Sequence, residues 1–302
     1  MKALASYVMR GPFQATMVVS VTAILSLILP FINYISGAAL ALVTLRQGLN
    51  AGLIILVGSS AVFAMFAYFF TSLAQLPLVV LGFAVVLGMV WALAAVLRYT
   101  RAMPVTLMVA GGFGIIFVLV VYLTTDPVAM WQQATLKFFA PVLQQADEQS
   151  RAVLQAQIAE ASRYVTGIFA AAIVLNCAVC LFLGRWWQAL LYNPGGFRQE
   201  FHSLRFSQTF AIVTAVIGII SFVPAGYVSA LAKDLFSVVL ILYFLQALAV
   251  AHAVVYARKM NVGWLVGLYV LSILLLKVIA AVGFLDTWVN FRGKVRTTSG
   301  KD

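Results

Sequence analysis

The sequence predicts an all-α protein, a polytopic transmembrane helix bundle of about 8–9 spans with an amphipathic outer segment, and three observations carry that expectation. Hydrophobic residues make up 64% of the 302 and charged residues only 9%, where a soluble domain carries about 25% charged. Mean hydropathy is +1.06. Apolar runs long enough to cross a hydrocarbon core, about 20 helical residues each, recur along the whole chain except for one central polar segment. These runs are continuous rather than alternating at period two, which is the pattern of spanning helices and not of barrel strands.

Apolar length and breaker residues place spans near 14–30, 31–45, 51–71, 76–97, 104–124, 164–183, 208–224, 232–257 and 262–285. The first two are either one long helix kinked at Pro30 or two short segments broken at Pro30-Phe31-Ile32-Asn33-Tyr34, since membrane helices tolerate proline where neighbours satisfy the freed carbonyl. Lys2 and Arg10 before an apolar run imitate a signal peptide, but Ala39-Leu40-Ala41 lies too far past that run for cleavage, so the first helix is expected to be retained. The chain divides into a transmembrane bundle over 1–183, which includes the outer segment 125–163, a basic interfacial loop over 184–207, and C-terminal helices with a basic tail over 208–302.

Loop charge sets the expected orientation. Arg98 and Arg101, then Arg185, Arg198 and Arg205, then Arg258 and Lys259 fall on one side if the spans are as drawn, and the positive-inside rule makes that side, with the amino terminus, cytoplasmic in a bacterial inner membrane. Residues 125–163 then lie outside with Asp126, Asp147, Glu148 and Glu160. The tail, with Arg292, Lys294, Arg296 and Lys301, breaks the pattern. Either the last apolar stretch folds back near Lys277 as two half-helices, the favoured reading, or a basic tail is translocated.

In the outer segment, Leu143, Ala146, Val153 or Leu154, Ile158 and Ala161 recur at helical spacing. Asp147 with Arg151 and Glu160 with Arg163 are spaced to pair, and Trp131, Phe138 and Phe139 suit an interfacial belt. Gly48 with Gly52, Gly263 with Gly267, and the cluster Gly111, Gly112 and Gly114 are small-residue spacings that let helices approach closely.

The net charge of +11 is dispersed among short loops and not gathered into a stripe, so nucleic acid is excluded as a partner and anionic lipid headgroups suffice. Neither H-E-x-x-H nor G-x-x-x-x-G-K-[ST] occurs; no enzyme, cofactor or metal site is expected. Cys177 and Cys180 match C-x-x-C only formally and read as packing on an apolar helix, without a helix N-terminus or cation to activate them.

Intramembrane polar residues are functional candidates because each must be satisfied without water. Asn33, Tyr34, Asn50, Asn176, His252, Lys277 and Asp286 are the main ones. Asn33, Tyr34, Arg46 and Asn50 are the groups expected to line or gate a substrate pocket. Lys277 is the costliest, at about 2.5–3.5 kcal/mol for a helix centre; snorkelling, a fold-back, a pair with Asp286, or a substrate or proton role would offset it. His252 reads as hydrogen-bonded packing.

The stretch Gly184 to Phe206 is read as a headgroup-level anchor: Arg185 on lipid phosphates, Trp186, Trp187 and Tyr192 at the interface, a turn at Asn193-Pro194-Gly195-Gly196, then Phe197, Phe201 and Leu204 as an apolar stripe beside Arg198, His202 and Arg205. Arg185, Trp186, Trp187, Arg198, His202 and Arg205 would dock lipid or a membrane or cytoplasmic protein partner.

The run from Leu191 to Arg205, LYNPGGFRQEFHSLR, and the later GFLDTWVNFR with Asp286, Trp288 and Arg292 resemble the YybS-like predicted bacterial membrane proteins over essentially the whole chain. That family is remotely similar to the substrate-capture subunits of energy-coupling-factor vitamin transporters, and Pro30 to Ser59 resembles their early helices. The chain departs from them in having more than six spans and no Ala-xxx-Ala face in its first span. The resemblance implies a substrate-binding or transport-associated subunit; the alternative is a membrane scaffold without a ligand site.

Overall fold

The computed structural model describes residues 1–224 and 226–293. The tail residues Lys294, Arg296 and Lys301 lie outside the described residues. Among the described residues the chain is helical, with no strand. The helices are α1 (Lys2–Val8), α2 (Pro12–Leu25), α3 (Asn33–Gln47), α4 (Leu49–Tyr68), α5 (Leu76–Thr100), α6 (Met103–Thr124), α7 (Pro127–Phe138), α8 (Ala140–Gln145), α9 (Glu148–Ser162), α10 (Val165–Tyr192), α11 (Gly196–His202), α12 (Gln208–Phe222), α13 (Tyr227–Ala257) and α14 (Gly263–Val289), with a 3-10 turn at Pro30–Ile32.

Six of these, α4, α5, α6, α10, α13 and α14, are long and apolar enough to cross a membrane, which is compatible with an integral, multi-pass membrane protein. The count of 8–9 is not reached because three segments read as spans are short. The 14 residues of α2 and the 15 of α3 and α12 extend only about 21–22 Å at helical rise, against a core of roughly 30 Å. Residues 26–32 separate α2 from α3, so the chain breaks rather than kinks at Pro30.

The chain forms two compact units that interleave along the sequence: residues 1–110 with 175–204, and 111–174 with 205–302. The sequence reading instead divides it at 183/184 and 207/208. In the first unit, α2 and α3 form an antiparallel hairpin fastened where Ser36 donates to the Val19 carbonyl (2.9 Å). Ala38 to Val43 of α3, Val18 and Val19 of α2, Ile55, Leu87 and Trp187 build its core. The N-terminal α1 seals the open end with fully buried Ala5 and Val8.

In the second unit, α12, α13 and α14 pack in sequence. α14 is not one straight rod: Leu275 has φ −113° and ψ 27°, a break two residues before Lys277. His252 meets Tyr269 (2.9 Å) while Gly283 lies against Ala247. Thus five residues of α13 (247–252) match fourteen of α14 (269–283), about 7 Å of rise against about 21 Å. The difference is a lateral excursion about the break.

The segment 125–163 is helical, but in three pieces. Asp126 caps α7 and Asp147 caps α9, its carboxylate accepting from the Ser150 amide (2.8 Å) and hydroxyl (3.0 Å), which hold it below the usual aspartate range. Arg151 therefore donates to the Leu143 and Ala146 carbonyls instead of pairing with Asp147, while Arg163 and Glu160 do meet (3.3 Å). The Trp131 indole N–H donates to Thr166 (2.8 Å), tying α7 to the start of α10.

Candidate functional site

In the first unit, α3 packs closely against α10. Asn33 donates to Asn176 (3.0 Å), Gly37 receives the Cys180 side chain, and Gly184 sits against Ala41 and the Ala38 carbonyl. Asn33, Gly37 and Ala41 recur every four residues, as do Asn176, Cys180 and Gly184, and each pair is separated by the same 143 positions. The two helices therefore run parallel in register. A Cβ on Gly184 would lie 2.7 Å from the Ala41 Cβ and 2.8 Å from the Ala38 carbonyl oxygen, so close approach requires glycine there. Cys177 and Cys180 are buried, with Cys180 filling the notch over Gly37.

α3 begins on Ile32 with no side-chain cap. The 3-10 turn at Pro30–Ile32 leads directly into it and accepts from the Asn33 amide, beside a break whose flanking Leu27, Ile28 and Phe31 are 63–78% exposed. Asn33 and Tyr34 stand at this end. Arg46 and Asn50 stand at the other, about 20 Å away along thirteen residues of helix, where the Arg46 guanidinium covers the Tyr192 ring (4.3 Å). One pocket lined by all four is not what the fold builds.

The basic loop is corrected in three respects. α10 continues to Tyr192, so Arg185, Trp186 and Trp187 are helical. Arg185 does not reach for lipid; it makes a two-pronged ion pair with Glu200 (Nε to Oε2 2.9 Å) and a bond to Gln188. Trp187 is fully buried, while Trp186 is 37% exposed. Phe197 and Phe201 of α11 stack on each other and meet Phe182 of α10 at steep angles, so the stripe faces the protein. The turn at Asn193–Gly196 forms as predicted, with Gly195 at φ 88°. Arg198 is exposed and His202 half-buried at its far edge.

The second unit holds a denser buried network. Gln246, fully buried on α13, accepts from the Phe206 amide (2.8 Å) and donates to the Gly283 carbonyl (2.8 Å), joining α13 to α14 and to the segment that leads into α12. Arg205 donates to the Thr287 carbonyl (2.5 Å). Asp286, also fully buried, accepts from the Phe291 amide (2.9 Å) and pairs with Arg292 (2.6 Å). Asn290 in the left-handed conformation ends α14 and turns Arg292 back onto the carboxylate. Asp286 is thus paired with Arg292 and not Lys277, which is exposed near the break at Leu275. His252 bonds Tyr269, as packing.

No protein-family model, curated protein or solved structure matches this chain. Geometry alone therefore carries its functional reading.

One buried acid has no counterpart among the residues singled out from sequence. Asp234, 3% exposed on α13, accepts from the Tyr122 hydroxyl (2.8 Å) and the Gly167 amide (3.0 Å). Gly167 lies in the first turn of α10, so the carboxylate supplies from a neighbouring helix the cap that α10 needs. A Cβ on Gly167 would fall 2.9 Å from the Asp234 Cα. Replacing Asp234 by Ala should leave a buried hydroxyl and amide unsatisfied and lower stability by about 1–3 kcal/mol, while Asp234→Asn should lose less. Thermal unfolding of the full chain in detergent checks the ranking; equal losses would reject the capping role. Among the described residues no group of three His, Cys, Asp or Glu could hold a metal.

Proposed function

We propose that the protein is a substrate-binding, transport-associated subunit whose ligand site lies at the break between α2 and α3. The observation that carries this reading is the interhelical Asn33–Asn176 bond at the break between two half-length helices, α2 and α3. Transporters place polar ligand groups at discontinuous helices that break partway through the bilayer. Asn33, Tyr34 and Asn176 are the recognising side chains, and Arg46 and Asn50 belong to the opposite end.

If α4, α5, α6 and α10 each cross once, Arg46, Arg98, Arg101, Arg185 and Arg198 all return to one end. That end, with the amino terminus, is cytoplasmic under the positive-inside rule, and the site then opens toward the outer face of a bacterial inner membrane.

The test is purification of the full chain in mild detergent and identification of small molecules released on denaturation. Asn33→Ala and Asn176→Ala should each empty the site. Their cost to the fold should stay near 0.6 kcal/mol and below about 1.7 kcal/mol, the range of interhelical hydrogen bonds in membranes, so a loss of ligand is separable from a loss of structure. A wild-type protein that releases nothing but lipid would favour the scaffold reading. That alternative draws on α14, whose most apolar 18-residue stretch has only 6% of its residues buried within the protein.

A further inference from the structure

We propose that the groove between α13 and the two arms of α14 is a binding site for one anionic phospholipid. The break at Leu275 separates the arms, and a cavity of about 320 Å³ opens between them and α13. Its walls are Val250, Ala251 and Val254 of α13, Leu265 and Leu268 of the first arm, and Ile279 of the second. Every one of these side chains is aliphatic. Such a space suits an acyl chain and offers a polar solute nothing to bond.

The end of the groove differs from its walls. Met260, which closes it, follows Arg258 and Lys259 directly, and both are exposed. Lys259 sits at φ 52°, in the left-handed turn that ends α13 one residue before Met260. Tyr256 (59% exposed) and Trp264 (67% exposed) flank the two basic residues. Aromatic rings beside basic groups mark the headgroup level of a membrane, where lysine and arginine attract acidic lipid. The groove therefore places hydrocarbon in its interior and a phosphate at its rim. Charge selects the headgroup and the apolar walls select the chain.

This site is independent of the break between α2 and α3 and survives if that reading fails. The test uses the delipidated full chain in detergent, with dioleoyl-phosphatidylglycerol and dioleoyl-phosphatidylcholine added separately and retained lipid counted by native mass spectrometry. Wild type should retain one phosphatidylglycerol with roughly tenfold preference. The double variant Arg258→Gln, Lys259→Gln should bind both lipids alike, and Ala251→Phe, which fills the groove, should bind neither at this site. Equal retention of the two lipids by wild type, or a preference that persists in the double variant, overturns the proposal. The charge variants leave the core untouched, so their lipid preference decides the question even if Ala251→Phe fails to fold.

Discussion

Replacing Arg292 by Ala should destabilise the protein by about 3–5 kcal/mol, because it strands the Asp286 carboxylate in a fully buried position. The cost comes from the orphaned charge more than from the lost bond. Removing both charges, in Asp286→Asn with Arg292→Gln, should therefore restore a large part of the stability, since an amide pair of similar shape leaves no buried ion. Thermal unfolding of the four proteins in one detergent forms a double-mutant cycle. Additive losses would show that the two residues do not act as a pair.

The second large effect is expected at Gly283, where α13 and α14 cross backbone to backbone. A Cβ there would overlap the Tyr243 carbonyl oxygen and approach the Ala247 amide nitrogen to 2.8 Å. Main-chain atoms cannot swing aside as a side-chain tip would, so Gly283→Ala belongs at the upper end of overpacking losses, about 3 kcal/mol. It should also break the Gln246 bond to the Gly283 carbonyl, which needs the helices at this separation. Gly267→Ala is the contrasting control. Nothing lies within 4 Å of its added methyl, and a neutral or slightly favourable change is expected. Equal melting temperatures for the two variants would contradict the crossing.

The long apolar runs were legible because length and continuity are local properties, and α4, α5, α6 and α13 begin within about five residues of the spans read from hydropathy. The arginine-tryptophan stretch was misjudged because its polar groups find partners inside the protein. Glu200, fifteen residues on, neutralises Arg185, and α10 can keep its helix through Trp187 to Tyr192. Hydropathy registers the charge and not its partner. Asp234 was missed for a related reason: Tyr122 lies 112 positions away and Gly167 67 positions away. The available clue was the acid itself, alone near the start of an apolar helix, where an unsatisfied carboxylate is costly.

Both late motif segments turn out to have mechanical duties. Asn193 to Gly196 reverses the chain, and the run from Gly283 to Arg292 supplies a crossing point, a buried ion pair and a helix end. Asn33 and Tyr34 stand out in the sequence because polar residues beside a proline break are conspicuous. Their distance from Arg46 does not, since hydropathy gives no helix length once the break is uncertain.

The parallel register of α3 and α10 has a bearing on biogenesis. Chains emerge from the ribosome N-terminus first, so α3 is made and threaded into lipid while its docking partner, 143 residues downstream, does not yet exist. A short helix bearing Asn33 and an unfilled notch at Gly37 must wait through the synthesis of α4 to α9. The first unit of this protein is therefore completed late, by a helix that arrives after most of the chain has been translated.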